Sequence, residues 1–345
     1  MPLKKNYFDS ATMLVSFIIP AYNAADTIVR CLESIYGLSL KRDEFEVIVI
    51  DDCSTDNTCE IVSKYQSQHP NITLLKQPKN NRQGAARNRG VKVAEGEYIC
   101  FVDADDAVSE GVVKAIRSAS DNKTDMTAYH YAFVDEQGIT TKEADRLGFL
   151  EGQLFSGIEM QNKHPYWCSG PVAYIYNREF LDRVNYPFVE GVLFEDSDFV
   201  AVHLYNAMRM TYSSELGYKA YEREGSTTRQ TTSKSVADYL LLGERMLDLY
   251  NLAKDNNEQF AQSILEGACF NVAISCKRLM KLGRVKEVSA YYDRIDERVS
   301  RKEICENSSL RKYYWNGWTS LCMKHKRLAI MLLSVLMPMY RIVKR

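Results

Sequence analysis

The sequence predicts an α/β fold with a mainly parallel sheet, followed by a helical C-terminal extension. Between residues 14 and 106, short apolar runs rich in β-branched residues alternate with stretches in which apolar residues recur every three or four positions. After residue 232 only the helical spacing continues. Strands that alternate with helices form right-handed βαβ units, so we expect the neighbouring strands to run parallel.

The first part of the chain is expected to contain four strands, and Pro20 should end the first of them. The predicted strands are 14–19, 45–50, 72–75 and 99–102, and the predicted helices between them are 24–36, 58–68 and 85–94. We divide the chain into a lead-in (1–13), an α/β domain (14–231), a helical region (232–326) and a tail (327–345).

The composition is that of an ordinary folded protein, with 46% hydrophobic and 26% charged residues. The nine cysteines are irregularly spaced, without a Cys-x-x-Cys pair, which argues against a zinc site and favours reduced thiols in the cytosol. Residues 1–12 lack the apolar core of a signal peptide. These features predict a cytoplasmic protein.

A polar cluster follows three of the four predicted strands, at residues 20–23, 51–56 and 103–106. In parallel α/β sheets, ligands bind beyond the carboxyl ends of the strands, so the three clusters should meet at one edge. No Gly-x-Gly-x-x-Gly or P-loop sequence follows any of these strands, which excludes the usual glycine-rich phosphate cradles. A bound nucleotide diphosphate would need a metal ion and side chains to balance its charge.

Three carboxylates crowd the end of the fourth strand: Asp103, Asp105 and Asp106. Such carboxylates repel one another unless a cation or basic partners are present, and oxygen ligands suit Mg²⁺ or Mn²⁺. The alternative is an acidic turn that caps the following helix, an interpretation that we favour for Asp106. Asp52, at the end of the second strand, is placed to accept hydrogen bonds from a base or ribose.

These segments resemble the family 2 glycosyltransferases, inverting enzymes with the GT-A fold. The matching segments follow the family's order over residues 14–200: Val15–Asn23, Val49–Asp56, Gly84–Gly90, Gly96–Asp106 and Glu195–Asp196. Cys53 stands where glycine is commonest in the family. The Gln-x-x-Arg-Trp signature of the processive members is absent, which indicates addition of single sugars rather than polymer synthesis.

The resemblance implies a donor pocket and a metal site. The residues that would line the donor pocket are Pro20, Tyr22, Asn23, Asp52, Arg82, Gly84, Asp103 and Arg223. Asp105, assisted by Asp103, would be the direct ligand of Mn²⁺ or Mg²⁺. The donor implied by family habit is a UDP-linked sugar.

The resemblance also implies residues on the acceptor side. Asp196 would be the general base that takes a proton from the acceptor hydroxyl, and Glu195 is the competing candidate. Trp167 would either stack on the acceptor sugar or simply pack in the core. An α-linked donor should give a β-glycoside, because one in-line displacement inverts the anomeric centre.

The C-terminal stretch Leu328–Tyr340 is strongly apolar, and basic residues flank it on both sides. It is too short to span a bilayer as a helix, which needs about 20 residues. An apolar stretch with basic flanks suits an interfacial segment on an anionic leaflet. A buried C-terminal helix or an oligomer contact is the alternative, and the interleaved aliphatic residues favour lipid over nucleic acid.

The leading hypothesis is inverting sugar transfer to a hydroxyl of a glycan or lipid-linked glycan in surface or capsular polysaccharide synthesis. It would take place at the inner face of the cytoplasmic membrane. A non-catalytic nucleotide-sugar-binding or scaffold protein of the same fold is the alternative, which the complete set of acidic residues disfavours. A nucleotidyltransferase would need a glycine-rich basic loop after the first strand, where this chain has Pro20-Ala21-Tyr22-Asn23.

Overall fold

The computed structural model describes residues 13–164, 170–222, 231–284 and 287. The chain divides into two compact units. The first comprises Met1–Gly157, Gly170–Gly191 and Asn206–Arg223, and the second Ile158–Ser169, Val192–Tyr205 and Glu224–Arg345. The domain limits expected at residues 231 and 326 stay predictions.

The first unit begins with alternating strands and helices. Its elements up to residue 122 are β1 (Val15–Ala21), α1 (Ile28–Tyr36), β2 (Phe45–Asp51), α2 (Thr58–Gln68), β3 (Ile72–Lys76), α3 (Arg82–Val93), β4 (Tyr98–Phe101), β5 (Ala107–Val108) and α4 (Gly111–Asn122). Those that follow are β6 (Met126–Val134), β7 (Thr140–Glu143), β8 (Tyr174–Asn177), α5 (Arg178–Val184) and β9 (Met210–Tyr221), with a 3₁₀ turn over Pro171–Ala173.

One sheet contains all of these strands, in the order β3-β2-β1-β4-β8-β6-β9-β5, and β7 pairs with β6. Strands β1 to β4 run parallel to one another, whereas β8 pairs antiparallel with both β4 and β6. The central strands are buried on both faces, as near-continuous apolar runs require. The predicted α/β fold with a mainly parallel sheet is therefore confirmed. The segment 210–221 forms a single strand, β9, which runs parallel to β6.

The prediction that Pro20 ends the first strand was wrong, because β1 continues to Ala21. Pairing with β4 ends at Ile18, whose carbonyl accepts the amide of Val102. Pro20 lies two residues further on and therefore faces the same side of β1, beyond the end of the paired region. Its missing N–H costs no ladder hydrogen bond there.

Gly96 allows β4 to approach β1 closely, so this position should not accept a side chain. A Cβ atom there would lie 2.5 Å from the backbone nitrogen of Ser16 and 2.7 Å from the carbonyl carbon of Val15. We expect Gly96→Ala to lower the free energy of unfolding by about 1–3 kcal/mol, because backbone rather than a flexible side chain must move. Urea unfolding measures this, with Glu95→Ala as the control. Equal stability of the two variants would contradict the close packing.

The second unit is helical in its described residues. Its elements are α6 (Asp196–Asn206), α7 (Ser233–Ala253) and α8 (Glu258–Lys281), together with a short helix, Gly157–Lys163, that follows β7 in the chain. Helices α7 and α8 pack closely where Gly243 faces Val272 and Ala268, and the Ser275 hydroxyl donates to the Val236 carbonyl. The predicted helical extension is confirmed. None of the helices described is long and apolar enough to cross a bilayer.

Candidate active site

The loops that follow β1 and β2 are tied together by side chains at the carboxyl edge of the sheet. The Asn23 amide donates to the Ser54 hydroxyl at 2.9 Å, and the Asn23 side chain accepts the Thr55 amide at 2.8 Å. The Thr58 hydroxyl accepts the Ala24 amide at 2.8 Å. Two of the three predicted polar clusters therefore form one connected surface, as the parallel strands require.

Asp52 connects this surface to the loop after β3. Its carboxylate accepts hydrogen bonds from the Gln77 side chain at 2.9 Å and from the Asn81 amide at 2.8 Å, and also from the Arg82 amide. Burial raises the pKa of Asp52, and these donors oppose that shift. The carboxylate thus holds residues 77–82 and the start of α3 against the sheet edge.

Each of these three loops contains a residue other than glycine in the left-handed region. The residues are Asn23 with φ 48°, Cys53 with φ 66° and Arg82 with φ 67°. Such conformations are costly for L-residues and persist where surrounding contacts enforce them, often at functional sites. The hydrogen bonds between the loops supply that enforcement here.

The acidic turn Asp103–Asp106 lies at the end of β4 and is closed by a hydrogen bond from the Asp106 amide to the Asp103 carbonyl. Directly after it, β5 pairs antiparallel with β9, opposite Tyr218 and Lys219. The turn is therefore fixed on one side by β1, through Val102, and on the other side by β9.

Asp106 does not cap the next helix, contrary to our interpretation of the sequence. Helix α4 begins at Gly111 after Glu110, whose side chain makes no capping hydrogen bond. The Asp106 carboxylate instead accepts the Tyr218 hydroxyl at 2.7 Å and the Tyr221 amide at 2.8 Å. Burial raises the pKa of Asp106 well above its usual value, and the negative charges of Asp105 and Asp103 raise it further.

Two arginines hold the backbone and side chains of the turn. Arg87 on α3 is almost fully buried and pairs with the Asp103 carboxylate at 2.7 Å. Arg30 on α1 donates to the Asp105 carbonyl and places its guanidinium 3.6 Å from the centre of the Tyr221 ring. The acidic turn is thus fixed by side chains from three separate elements of the fold, α3, α1 and β9.

The acidic turn fits a divalent cation. One carboxylate oxygen from each of Asp103, Asp105 and Asp106 lies within 4.8 Å of the others. Opposite ligands of a bound Mg²⁺ ion are about 4.2 Å apart, so small side-chain rotations would suffice. A cation would also balance the mutual repulsion that raises the pKa of Asp106.

Comparison with known proteins identifies the family. The model of Glycosyl transferase family 2 matches residues 16–184. The succinoglycan biosynthesis protein ExoO of Rhizobium meliloti is 30% identical over 247 residues, which are 69% of each chain. The chain belongs to glycosyltransferase family 2. The glycosyltransferase YibD of Escherichia coli is also 30% identical, over 230 residues.

Among solved structures, Staphylococcus aureus TarS 1–349 in complex with UDP-GlcNAc matches this family member with a TM-score of 0.72 at 23% identity. The match covers 95% of this chain and 92% of that structure and shows a shared GT-A fold. The chain spans just under two thirds of YibD (64%) and 36% of full-length TarS.

The family's preference for glycine at position 53 has a physical reason in this fold, because φ is 66° there. We expect Cys53→Gly to raise the free energy of unfolding by about 0.5–1 kcal/mol, since the gain in backbone relief exceeds the entropy that glycine adds to the unfolded chain. Chemical unfolding measures the change. Cys53→Ala is the control, because it removes the thiol and keeps the unfavourable conformation. An equal gain in both variants would assign the effect to the thiol.

Those of the remaining predicted donor residues that the structure describes lie at or near the same edge. Tyr22 is 49% exposed in the loop after β1, whereas Pro20 within β1 and Gly84 in α3 are buried. Arg82 is the first residue of α3. Trp167 and Arg223 lie outside the described residues, as does the tail after residue 326. The roles assigned to these residues stay predictions.

The acidic pair belongs to the second unit. Glu195 precedes α6 and is fully buried, whereas Asp196 is the first residue of the helix and is partly exposed. A helix N-terminus stabilises a carboxylate in its charged form, the form that a general base needs. This difference in exposure favours Asp196 over Glu195 as a residue that could reach an acceptor.

Sequence reasoning missed Arg87, Arg30 and Tyr218 as parts of the site. Arg87 stands inside a segment that carries the family resemblance, so that segment was the available signal. Arg30 and Tyr218 have no local signal, because their partners in the acidic turn are 75 and 112 residues away in the chain.

Proposed function

We propose that this chain transfers a sugar from a UDP-linked donor to a hydroxyl group of a glycan, with inversion and with the help of a divalent cation. The observation that carries the proposal is the acidic turn of Asp103, Asp105 and Asp106, which Arg87, Tyr218 and Arg30 hold beyond the ends of parallel strands. An acidic turn built only for solubility would not need a buried arginine and a buried tyrosine to fix it.

The donor lies across the loops after β1, β2 and β3, with its diphosphate toward the acidic turn. Tyr22, Asn23, Asp52 and the start of α3 surround the nucleoside. Asp105, assisted by Asp103, would hold Mn²⁺ or Mg²⁺, and the ion would supply Lewis-acid stabilisation of the negative charge on the departing diphosphate. Arg223 would contribute to the same pocket, as the family resemblance implies.

The transfer is a single displacement. Asp196 accepts the proton of the acceptor hydroxyl as its oxygen forms a bond to C1 of the sugar. The bond between C1 and the diphosphate oxygen breaks, and its electron pair leaves with UDP. The new bond forms on the opposite face of the sugar, so an α-linked donor gives a β-glycoside. Trp167 would either stack on the acceptor sugar or simply pack in the core.

UDP is the favoured nucleotide because the structurally similar TarS was solved with UDP-GlcNAc. A panel of UDP-glucose, UDP-galactose, UDP-GlcNAc and UDP-GalNAc, each with Mn²⁺, tests this through the release of UDP, which needs no acceptor. We expect one sugar to be hydrolysed well above the others. Absence of UDP release from every sugar, by a protein that binds UDP, would favour the non-catalytic alternative.

The acceptor is a glycan of surface or capsular polysaccharide synthesis, carried on a lipid at the inner face of the cytoplasmic membrane. Support comes from the named roles of relatives, succinoglycan biosynthesis for ExoO and poly(ribitol-phosphate) glycosylation for TarS. The basic and apolar residues 327–345 would bind the anionic leaflet. Flotation with vesicles containing phosphatidylglycerol tests this, and equal flotation of a chain truncated at residue 326 would remove the tail from the role.

A further inference from the structure

The residue before the acidic pair has an unusual conformation. Phe194 has a φ of 66°, in the left-handed region that large aromatic residues rarely adopt. Its ring stacks on Tyr239 of α7, with centroids 4.0 Å apart and planes 20° from parallel. A residue in such a conformation stays there only when its surroundings leave it no alternative, so the stack is a constraint on the backbone that leads into Glu195 and Asp196.

Helix α8 adds a cation to this stack. The Arg278 guanidinium lies 4.7 Å from the centre of the Tyr239 ring and 5.5 Å from that of Phe194. Arg278 is itself 8% exposed, so its attraction to the two rings is little weakened by water. The two helices of the extension therefore hold the same aromatic side chain.

The backbone of the same segment is held directly. The Leu193 amide donates to the carboxylate of Asp238 at 3.0 Å, and Lys234 donates to the other oxygen of that carboxylate at 3.0 Å. Asp238 is 5% exposed. A buried carboxylate that is fixed by a lysine is a strong anchor for one peptide group.

Beyond the acidic pair, the first turn of α6 has its own anchor. The Asp198 carboxylate is 1% exposed and forms an ion pair with Arg245 of α7 at 2.5 Å. Contacts from α7 thus stand on both sides of Glu195 and Asp196, at residues 193, 194 and 198. The acidic pair is the short stretch between fixed points.

Asp196 lies close to the stack as well as next to it in sequence. Burial raises the pKa of the Tyr239 phenol, the positive charge of Arg278 lowers it, and the negative charge of Asp196 raises it. The charges of Arg278 and Asp196 therefore both act on the Tyr239 phenol. A shift of the Tyr239 ring would change the surroundings of the carboxylate that we propose as the base.

We propose that Asp238, Tyr239 and Arg278 are positioning residues, through which the helical extension holds the backbone of residues 193–196 and so orients the Asp196 carboxylate. The inference rests on the proposed function, because it assigns a role in orienting the proposed base. It gives α7 and α8 a part in the reaction without contact with substrate. Such an indirect effect on the rate is expected because small displacements of a catalytic group slow the reaction strongly.

The test is UDP release by the full-length chain from the nucleotide sugar in the panel that the unaltered protein hydrolyses fastest, with Mn²⁺. Tyr239→Leu removes the stack, and Tyr239→Phe keeps the ring. We expect Tyr239→Leu to lower kcat at least tenfold, with KM for the sugar nucleotide and Kd for UDP within twofold. Tyr239→Phe should restore kcat to within twofold of the unaltered protein.

Tyr250→Leu is the matched control, since Tyr250 is a buried tyrosine three turns further along α7. It should lower the melting temperature about as much as Tyr239→Leu and leave kcat within twofold. If the Tyr239→Leu variant does not fold, the same measurement is made on Arg278→Met, for which we expect the same loss of kcat. Equal kcat in the Tyr239 and Tyr250 variants, or a rise in KM at unchanged kcat, would overturn the proposal.

The Asp196→Asn variant distinguishes failure of the positioning role from failure of the assignment of Asp196 as the base. If it is inactive while Tyr239→Leu and Arg278→Met retain full kcat, only the positioning role fails. If Asp196→Asn releases UDP as fast as the unaltered protein, the assignment of the base fails, and the positioning role fails with it.

Discussion

Replacing Asp196 with asparagine should lower sugar transfer by about 10²–10⁴-fold, the range that loss of a general base produces. The amide has nearly the same shape as the carboxylate but cannot accept the proton of the acceptor hydroxyl. Affinity for UDP should stay within twofold, because the residues proposed to bind the nucleotide belong to the first unit. Transfer assays and calorimetry of UDP binding measure the two effects separately.

Asp255→Asn is the control for this substitution, because Asp255 is an exposed aspartate of the second unit. Glu195→Gln is the informative comparison. Since Glu195 is fully buried, its loss should affect stability more than the proton transfer itself. Normal turnover in Asp196→Asn together with an inactive, well-folded Glu195→Gln would exchange the roles of the two residues.

The second large effect is expected for Asp105→Asn, which should lower turnover with Mn²⁺ by at least 100-fold and raise stability in the absence of metal. The charge of Asp105 raises the pKa of its buried neighbour Asp106, so its removal relieves repulsion in the metal-free protein. The gain should be about 1 kcal/mol in the free energy of unfolding. A loss of function with a gain of stability would mark a site built for a ligand.

Thermal unfolding with and without Mn²⁺ tests this pair of effects. The unaltered protein should gain stability from the ion, and the Asp105→Asn variant should gain little. Asp43→Asn, at an exposed position of the same unit, is the control and should behave like the unaltered protein. An Asp105→Asn variant that is stabilised by Mn²⁺ to the same degree would place the ion elsewhere.

The parallel half of the sheet could be predicted from the sequence because three of its strands, β1, β2 and β4, are buried on both faces and end in polar clusters. Periodicity and the direction of βαβ units then suffice to bring residues 20–23, 51–56 and 103–106 to one edge. Pro20 was misjudged for a reason that the sequence does not contain: β4 is shorter than β1 and leaves one side of the strand unpaired.

The residues that hold the acidic turn could not be predicted from patterns within one segment of the sequence. Asp106 has the sequence of a helix cap, and only the pairing of β5 with β9 brings Tyr218 and Tyr221 to its carboxylate. Asp52 likewise reads as an acceptor for a nucleoside, yet in the fold it receives protein donors from Gln77 and the start of α3. Contacts between distant segments decide such roles, and a pattern within one segment does not encode them.

The most direct test of a metal-assisted nucleotide-sugar site is calorimetric titration of UDP into the full-length protein, in parallel with Mn²⁺ and with EDTA. From the acidic turn and the loops beside it, we expect Mn²⁺ to raise the affinity for UDP at least tenfold. The ion would balance the negative charges of both the carboxylates and the diphosphate. Equal affinity for UDP in Mn²⁺ and in EDTA would contradict the account.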